Sequence, residues 1–162
     1  MGATASTAAG ATHTGGPRTA ATNLPQVTAA AASPASALVG SLTIAGGTPN
    51  VSEARAFVAL TLGAEHPCTD EAVLLCSELV TNAVLHSESG QPGGTVTVVV
   101  LGLPGAVRIE VVDNGSTRST PVVKADVYEP HGHGLFLVEQ LAEQWGYTRD
   151  EVGTTVWFRL TC

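Results

Sequence analysis

Glu78 and Asn82 are the pair in this sequence whose types and spacing speak most directly of chemistry. From Ala72 to Leu85 there is no Lys or Arg, and the polar side chains are Ser77, Glu78, Thr81 and Asn82. At about 100° per residue, these four fall within one arc of a helix, while Val73, Cys76, Val80, Ala83 and Val84 take the opposite face. A carboxylate one turn from a carboxamide on an otherwise apolar helix suits a divalent cation that keeps its waters. Mg²⁺ is such a cation, taking oxygen ligands and leaning on phosphates for the rest of its shell. A polar pair tying the helix to a sheet would use the same residues, since buried polar groups need partners.

Three further motifs complement this pair. Asp113-Asn114-Gly115 closes an apolar run; its carboxylate can accept from an exocyclic amine such as that of adenine, and Gly115 lets a flat base approach. A plain strand-ending turn is the alternative. His131-Gly132-His133-Gly134 precedes a helical stretch, where exposed backbone N–H groups and the helix dipole favour an anion. A rival use of His131, His133 and His86 is as metal ligands, although no Cys pair or acidic ligand stands near them in sequence. No G-x-x-x-x-G-K-[ST] phosphate loop occurs. Finally, Gly153-Thr154-Thr155 could line a base pocket or simply make a hairpin turn.

The elements that must position these motifs are legible from periodicity. Leu38 to Ala45 reads as a strand. Asn50 or Ser52 can cap a helix running to about Leu62, and Thr69 can cap a second helix running to about His86. Thr95–Leu101 and Ala106–Asp113 alternate with period 2, placing Val96, Val98 and Val100, then Val107, Ile109 and Val111, on single faces. Residues 114 to 131 read as a long loop, of the kind that is either a functional lid or disordered. A third helix is expected from about Leu135 to Trp145, with Leu135, Val138, Leu141, Ala142 and Trp145 in one stripe. Gly146–Arg149 and Thr155–Thr161 complete a last hairpin. The expected fold is an α/β two-layer sandwich: a mixed, mainly antiparallel sheet with three helices on one face.

The chain of 162 residues carries 7 Lys+Arg against 14 Asp+Glu, net charge −7, which argues against a nucleic-acid binder. No apolar run approaches the ~20 residues of a membrane span. Residues 1 to 36 are mostly Ala, Thr, Gly, Ser and Pro with Arg18 as their one charge, and read as a disordered low-complexity tail. They make a poor signal peptide. Residues 37–162 read as one domain. Cys68, Cys76 and Cys162 are odd in number, at spacings that fit no disulfide framework or zinc ribbon; a reducing, cytoplasmic setting is the simplest reading.

Taken in order, S-E-L-V-T-N-A-V-L-H (Ser77 to His86), V-V-D-N-G (Val111 to Gly115), H-G-H-G-L-F-L-V (His131 to Val138) and G-T-T-V-W (Gly153 to Trp157) resemble the N, G1, G2 and G3 boxes of the GHKL (Bergerat-fold) ATPases. The resemblance is closest to the small bacterial anti-sigma-factor serine kinase-like ATP-binding proteins, and N-V-S-E-A-R-A-F (Asn50 to Phe57) also resembles the first helix of that family. It implies ATP and Mg²⁺ as cofactors. Glu78 would be the general base and Asn82 the Mg²⁺ ligand. His86, Asp113, Gly115, Gly132, His133, Gly134, Leu135 and Thr154 would join Asn82 around the nucleotide, with Asp113 reading adenine. It further implies γ-phosphate transfer to a serine of an antagonist protein, a sigma factor as competing partner, and a homodimer. His133 stands where family members often carry Arg. Because histidine is only partly charged near pH 7, a non-catalytic nucleotide-binding interaction module is the alternative.

Overall fold

The structure, a computed structural model, describes residues 36–116 and 134–162. The expected tail and most of the expected lid, with His131, Gly132 and His133, lie outside the described residues. In chain order the elements are β1 (Ala37–Ala45), α1 (Val51–Leu62), α2 (Thr69–His86), β2 (Thr95–Leu103), β3 (Ala106–Asp113), α3 (Gly134–Leu141), β4 (Gln144–Arg149) and β5 (Thr154–Thr161). The five strands form one sheet in the order β1-β2-β3-β5-β4. All four pairings are antiparallel.

Period-2 patterning fixes the register. Val98 of β2 stands opposite Leu42 of β1 and Val111 of β3, and Val111 in turn faces Val156 of β5. A slip of one residue would turn every one of these side chains to the wrong face. Val96, Val98, Val100, Ile109, Val111, Phe158 and Leu160 make the sheet side of the core. Ala54 and Val58 of α1, Leu75, Cys76, Leu79 and Val80 of α2, and Leu135 and Val138 of α3 make the helical side. On the other sheet face, Arg108 lies 3.9 Å from the Trp157 ring centroid and its Nε donates to Glu110 Oε1 at 2.8 Å. Gly146 stands opposite Trp157, and a Cβ there would come within 3.0 Å of the indole.

Three local expectations are revised. The third helix ends at Leu141, and Trp145 belongs to β4 opposite Phe158. The apolar stripe is ambiguous here: Trp145 and Tyr147 also fit a strand period, and Gly146 disfavours helix by about 1 kcal/mol relative to Ala. Glu143 N–H donates to Arg159 O, which starts the strand pairing, and Leu141 is exposed. Thr69 is the first helical residue rather than the cap; Cys68 occupies the cap position, and the Thr69 hydroxyl donates to Gly63 O at 2.6 Å. Lastly, Cys68 and Cys162, 94 residues apart, are joined by a disulfide with a Cα–Cα distance of 5.6 Å. Sequence spacing cannot reveal so distant a pairing, and the bond removes the argument from cysteine spacing for a reducing setting. Cys76 stays a free, buried thiol, and burial pushes its pKa up to about 12.

Among the described residues no helix is long and apolar enough to cross a membrane.

Candidate nucleotide site

The C-terminal half of α2 carries the polar stripe. Its apolar residues Leu75, Cys76, Leu79, Val80, Ala83 and Val84 are buried, which leaves Ser77, Glu78, Thr81 and Asn82 half-buried along one edge. The two hydroxyls bond to their own helix: Ser77 Oγ donates to Leu74 O at 2.8 Å and Thr81 Oγ1 to Ser77 O at 2.8 Å. Glu78 and Asn82 have no hydrogen-bond partner among the described residues. Their oxygens stay available, which is the condition a hard cation needs.

The start of α3 lies directly against this pair. A Cβ on the buried Gly134 would stand 2.8 Å from Asn82 Nδ2, 3.1 Å from Glu78 Cβ and 3.2 Å from Glu78 Oε2. Glycine therefore lets the backbone of α3 lie closer to the Glu78 carboxylate and the Asn82 carboxamide than a side chain would allow. Leu135 is buried and anchors that turn in the core.

A second cluster forms where β3, β4 and β5 end together. Thr154 is opposite Asp113 on one side and Arg149 on the other. Asp113 Oδ1 accepts from Gly115 N–H at 2.6 Å. Burial raises the Asp113 carboxyl above its ordinary value, against the pull of the Gly115 and Thr154 N–H groups and the charge of Arg149. Gly115 has φ +74° and approaches Gly153 so that a Cβ would be 3.3 Å from Gly153 Cα. Gly153 itself packs on the Asp113 carbonyl with no room for a side chain. The two glycines thus bring the ends of β3 and β5 close together beside the half-buried Asp113 carboxylate and the buried Thr154.

Ser89 joins the clusters. It is fully buried; its Oγ donates to Thr95 O at 2.6 Å and accepts from Asn114 N–H at 2.9 Å. Asn114 Oδ1 accepts from Thr95 N–H at 2.8 Å, and Glu88 N–H donates to Gly115 O at 2.7 Å. The chain leaving α2 is thus tied to the Asp113–Gly115 strand end. His86, the last residue of α2, is exposed beside this junction.

Of the expected site residues, Glu78, Asn82, Gly134 and Leu135 come together at α2 and α3, and Asp113, Gly115 and Thr154 at the sheet end. Gly132 and His133 lie outside the described residues. Sequence reasoning missed Ser89, Asn114 as a structural link, Gly153 as a packing requirement and Arg149. Only the β4–β5 register could have placed Arg149 beside Thr154.

The donor set suits Mg²⁺ and ATP: a carboxylate and a carboxamide with no hydrogen-bond partner among the described residues, the start of α3 beside them, and a half-buried carboxylate able to accept from an amine. Residues 48–160 match the histidine kinase-like ATPase domain family. The chain belongs to that family. It is 30% identical over 122 residues to the anti-sigma F factor of Geobacillus stearothermophilus, covering 68% of this chain and 83% of the relative. Among solved structures it is similar to the RsbU and RsbW domains of Rv1364c from Mycobacterium tuberculosis, at TM-score 0.51 and 25% identity, covering 75% of this chain and 32% of that one. It spans about a third of that larger protein. Within the ATPase family it is thus similar to an anti-sigma factor.

Proposed function

We propose that this protein binds Mg·ATP and acts as a serine/threonine kinase on an antagonist protein, in competition with binding of a sigma factor. The observation that supports the reading is the close approach of Gly134, at the start of α3, to Glu78 and Asn82. The likeness to an anti-sigma F factor supports the choice of partners.

ATP, when bound with Mg²⁺, supplies the transferable γ-phosphate. The chain's residues do the rest. Asp113 accepts from the adenine amino group and so orients the base. Gly115 and Gly153 let the ends of β3 and β5 close up beside Asp113, and Thr154 lies near the base. Asn82 holds the cation through its carboxamide oxygen. Glu78, one turn earlier on the same face, takes the proton from the acceptor serine hydroxyl. Such a base contributes about 10²–10⁴ in rate. The test is incubation of the purified chain with labelled Mg·ATP and antagonist-type proteins, reading phosphoserine on the antagonist. Tight nucleotide binding with no transfer to any of them would favour a non-catalytic regulatory module.

A further inference from the structure

His66, Cys68 and Cys162 lie at the opposite end of the fold from the nucleotide site. Cys68 immediately precedes α2, whose far end carries Asn82 and His86, and Cys162 follows β5, whose far end carries Thr154. The 18 residues of α2 alone separate the two places, by roughly 25 Å at 1.5 Å per residue. Among the described residues, these three side chains bring their ligand atoms within 4.8 Å of one another. Ligand atoms around a tetrahedral zinc, at about 2.0–2.3 Å from the metal, stand roughly 3.3–3.8 Å apart. Cys68 N–H donates to His66 Nδ1 at 3.3 Å, which holds the ring beside the sulfurs. Cys68 is buried, His66 half-buried and Cys162 exposed, so the cluster opens to solvent on the Cys162 side. A disulfide needs no third donor, and the imidazole has no part in the cross-link.

We infer that His66, Cys68 and Cys162 form a binding site for a zinc-class cation that is open in the reduced protein and closed by the Cys68–Cys162 disulfide. A low-molecular-weight thiol supplies the two electrons that open the S–S bond: two thiol equivalents become their own disulfide, and Cys68 and Cys162 become thiols. The cation then displaces the two thiol protons and binds two sulfurs and one imidazole nitrogen, with a fourth position left for water. Sulfur and nitrogen donors select against Mg²⁺, so this site is independent of the nucleotide reading.

The full chain, reduced with a phosphine and freed of reductant without oxygen, is titrated with Co²⁺ in the absence of nucleotide. Thiolate-to-cobalt charge-transfer bands saturating at one Co²⁺ per chain, reversed by Zn²⁺ and absent from the oxidised protein, are expected. His66→Ala, which leaves both sulfurs in place, should weaken Co²⁺ at least about tenfold, since even outer-shell losses reach that size. Cys76→Ser should leave the Co²⁺ affinity of the folded, reduced protein unchanged. The site is overturned if the folded, reduced protein gives no thiolate bands, or if His66→Ala binds Co²⁺ as tightly as wild type. If reduction loosens the fold, Co²⁺ must restore the native circular dichroism; failure to restore it overturns the site as well.

Discussion

Gly134 and Asn82 approach so closely that a Cβ on the glycine would stand 2.8 Å from the Asn82 amide nitrogen. The nearest atoms are the amide end of Asn82 and, on Glu78, both Oε2 at 3.2 Å and Cβ at 3.1 Å, the last fixed to the α2 backbone. Gly134→Ala should therefore displace the carboxamide and carboxylate and shift α3 against α2 by a few tenths of an ångström. Mg·ATP affinity is expected to fall by at least tenfold, with a melting temperature within a few degrees of wild type. Calorimetric titration beside thermal unfolding checks both halves.

Asp113 gives a second prediction. Removing the charged partner of a buried hydrogen bond costs about 1.5–3 kcal/mol, or roughly 10- to 150-fold in affinity. Asp113→Asn should weaken ATP by that much and reduce the preference for ATP over GTP. The raised pKa adds a pH signature. The folded protein holds the Asp113 proton to higher pH than the unfolded chain, whose value is near 3.8. The stability linked to that proton is complete below the unfolded value and is lost as pH rises through the folded one. Denaturant unfolding of wild type should show this extra fall with rising pH, and Asp113→Asn should lack it. The affinity gap between the two proteins should also narrow as pH drops toward the folded value.

The sheet and the two longer helices were legible because alternation in Thr95–Leu101 and Ala106–Asp113, and the apolar face of the Thr69–His86 helix, each match one period cleanly. Glu78, Asn82, Asp113 and Thr154 stood out because polar residues interrupt those patterns. Trp145 was misplaced because one apolar residue fits both periods and the hydrogen bond that decides, Glu143 to Arg159, is made with a strand later in the chain. The Cys68–Cys162 bond and the Arg149–Asp113 proximity were hidden for the same reason. Ser89, flanked by Glu88 and Gly90, looks like any exposed loop serine, and only its tertiary partners bury it.

Ser89→Ala removes a hydroxyl with two strong partners in a fully buried position. It should cost about 1–3 kcal/mol of stability by leaving Asn114 N–H and Thr95 O unsatisfied. Because Asn114 precedes Gly115, ATP affinity should fall with it. Glu88, whose backbone alone takes part in the tie, should tolerate Ala with no loss of either.

The disulfide closes a loop between residues 94 apart in sequence. Cross-links of this kind stabilise by about 2–4 kcal/mol, chiefly through the unfolded chain. Cys162→Ser, at an exposed position, should lower the melting temperature by several degrees and abolish the difference between oxidised and reduced samples. Nucleotide affinity of the folded variant should stay within a few-fold of wild type, since the proposed nucleotide site is at the other end of α2.

The proposed function divides the work between Glu78 and Asn82, one turn apart on the same face of α2. The most direct test measures Mg·ATP affinity and phosphate transfer to an antagonist-type protein side by side in Glu78→Gln and Asn82→Ala. Glu78→Gln keeps the shape and loses the base, so affinity should stay within a few-fold while transfer falls by at least about a hundredfold. Asn82→Ala should lose Mg·ATP binding itself. A Glu78→Gln protein that transfers phosphate as fast as wild type would contradict the assignment of Glu78 as the base.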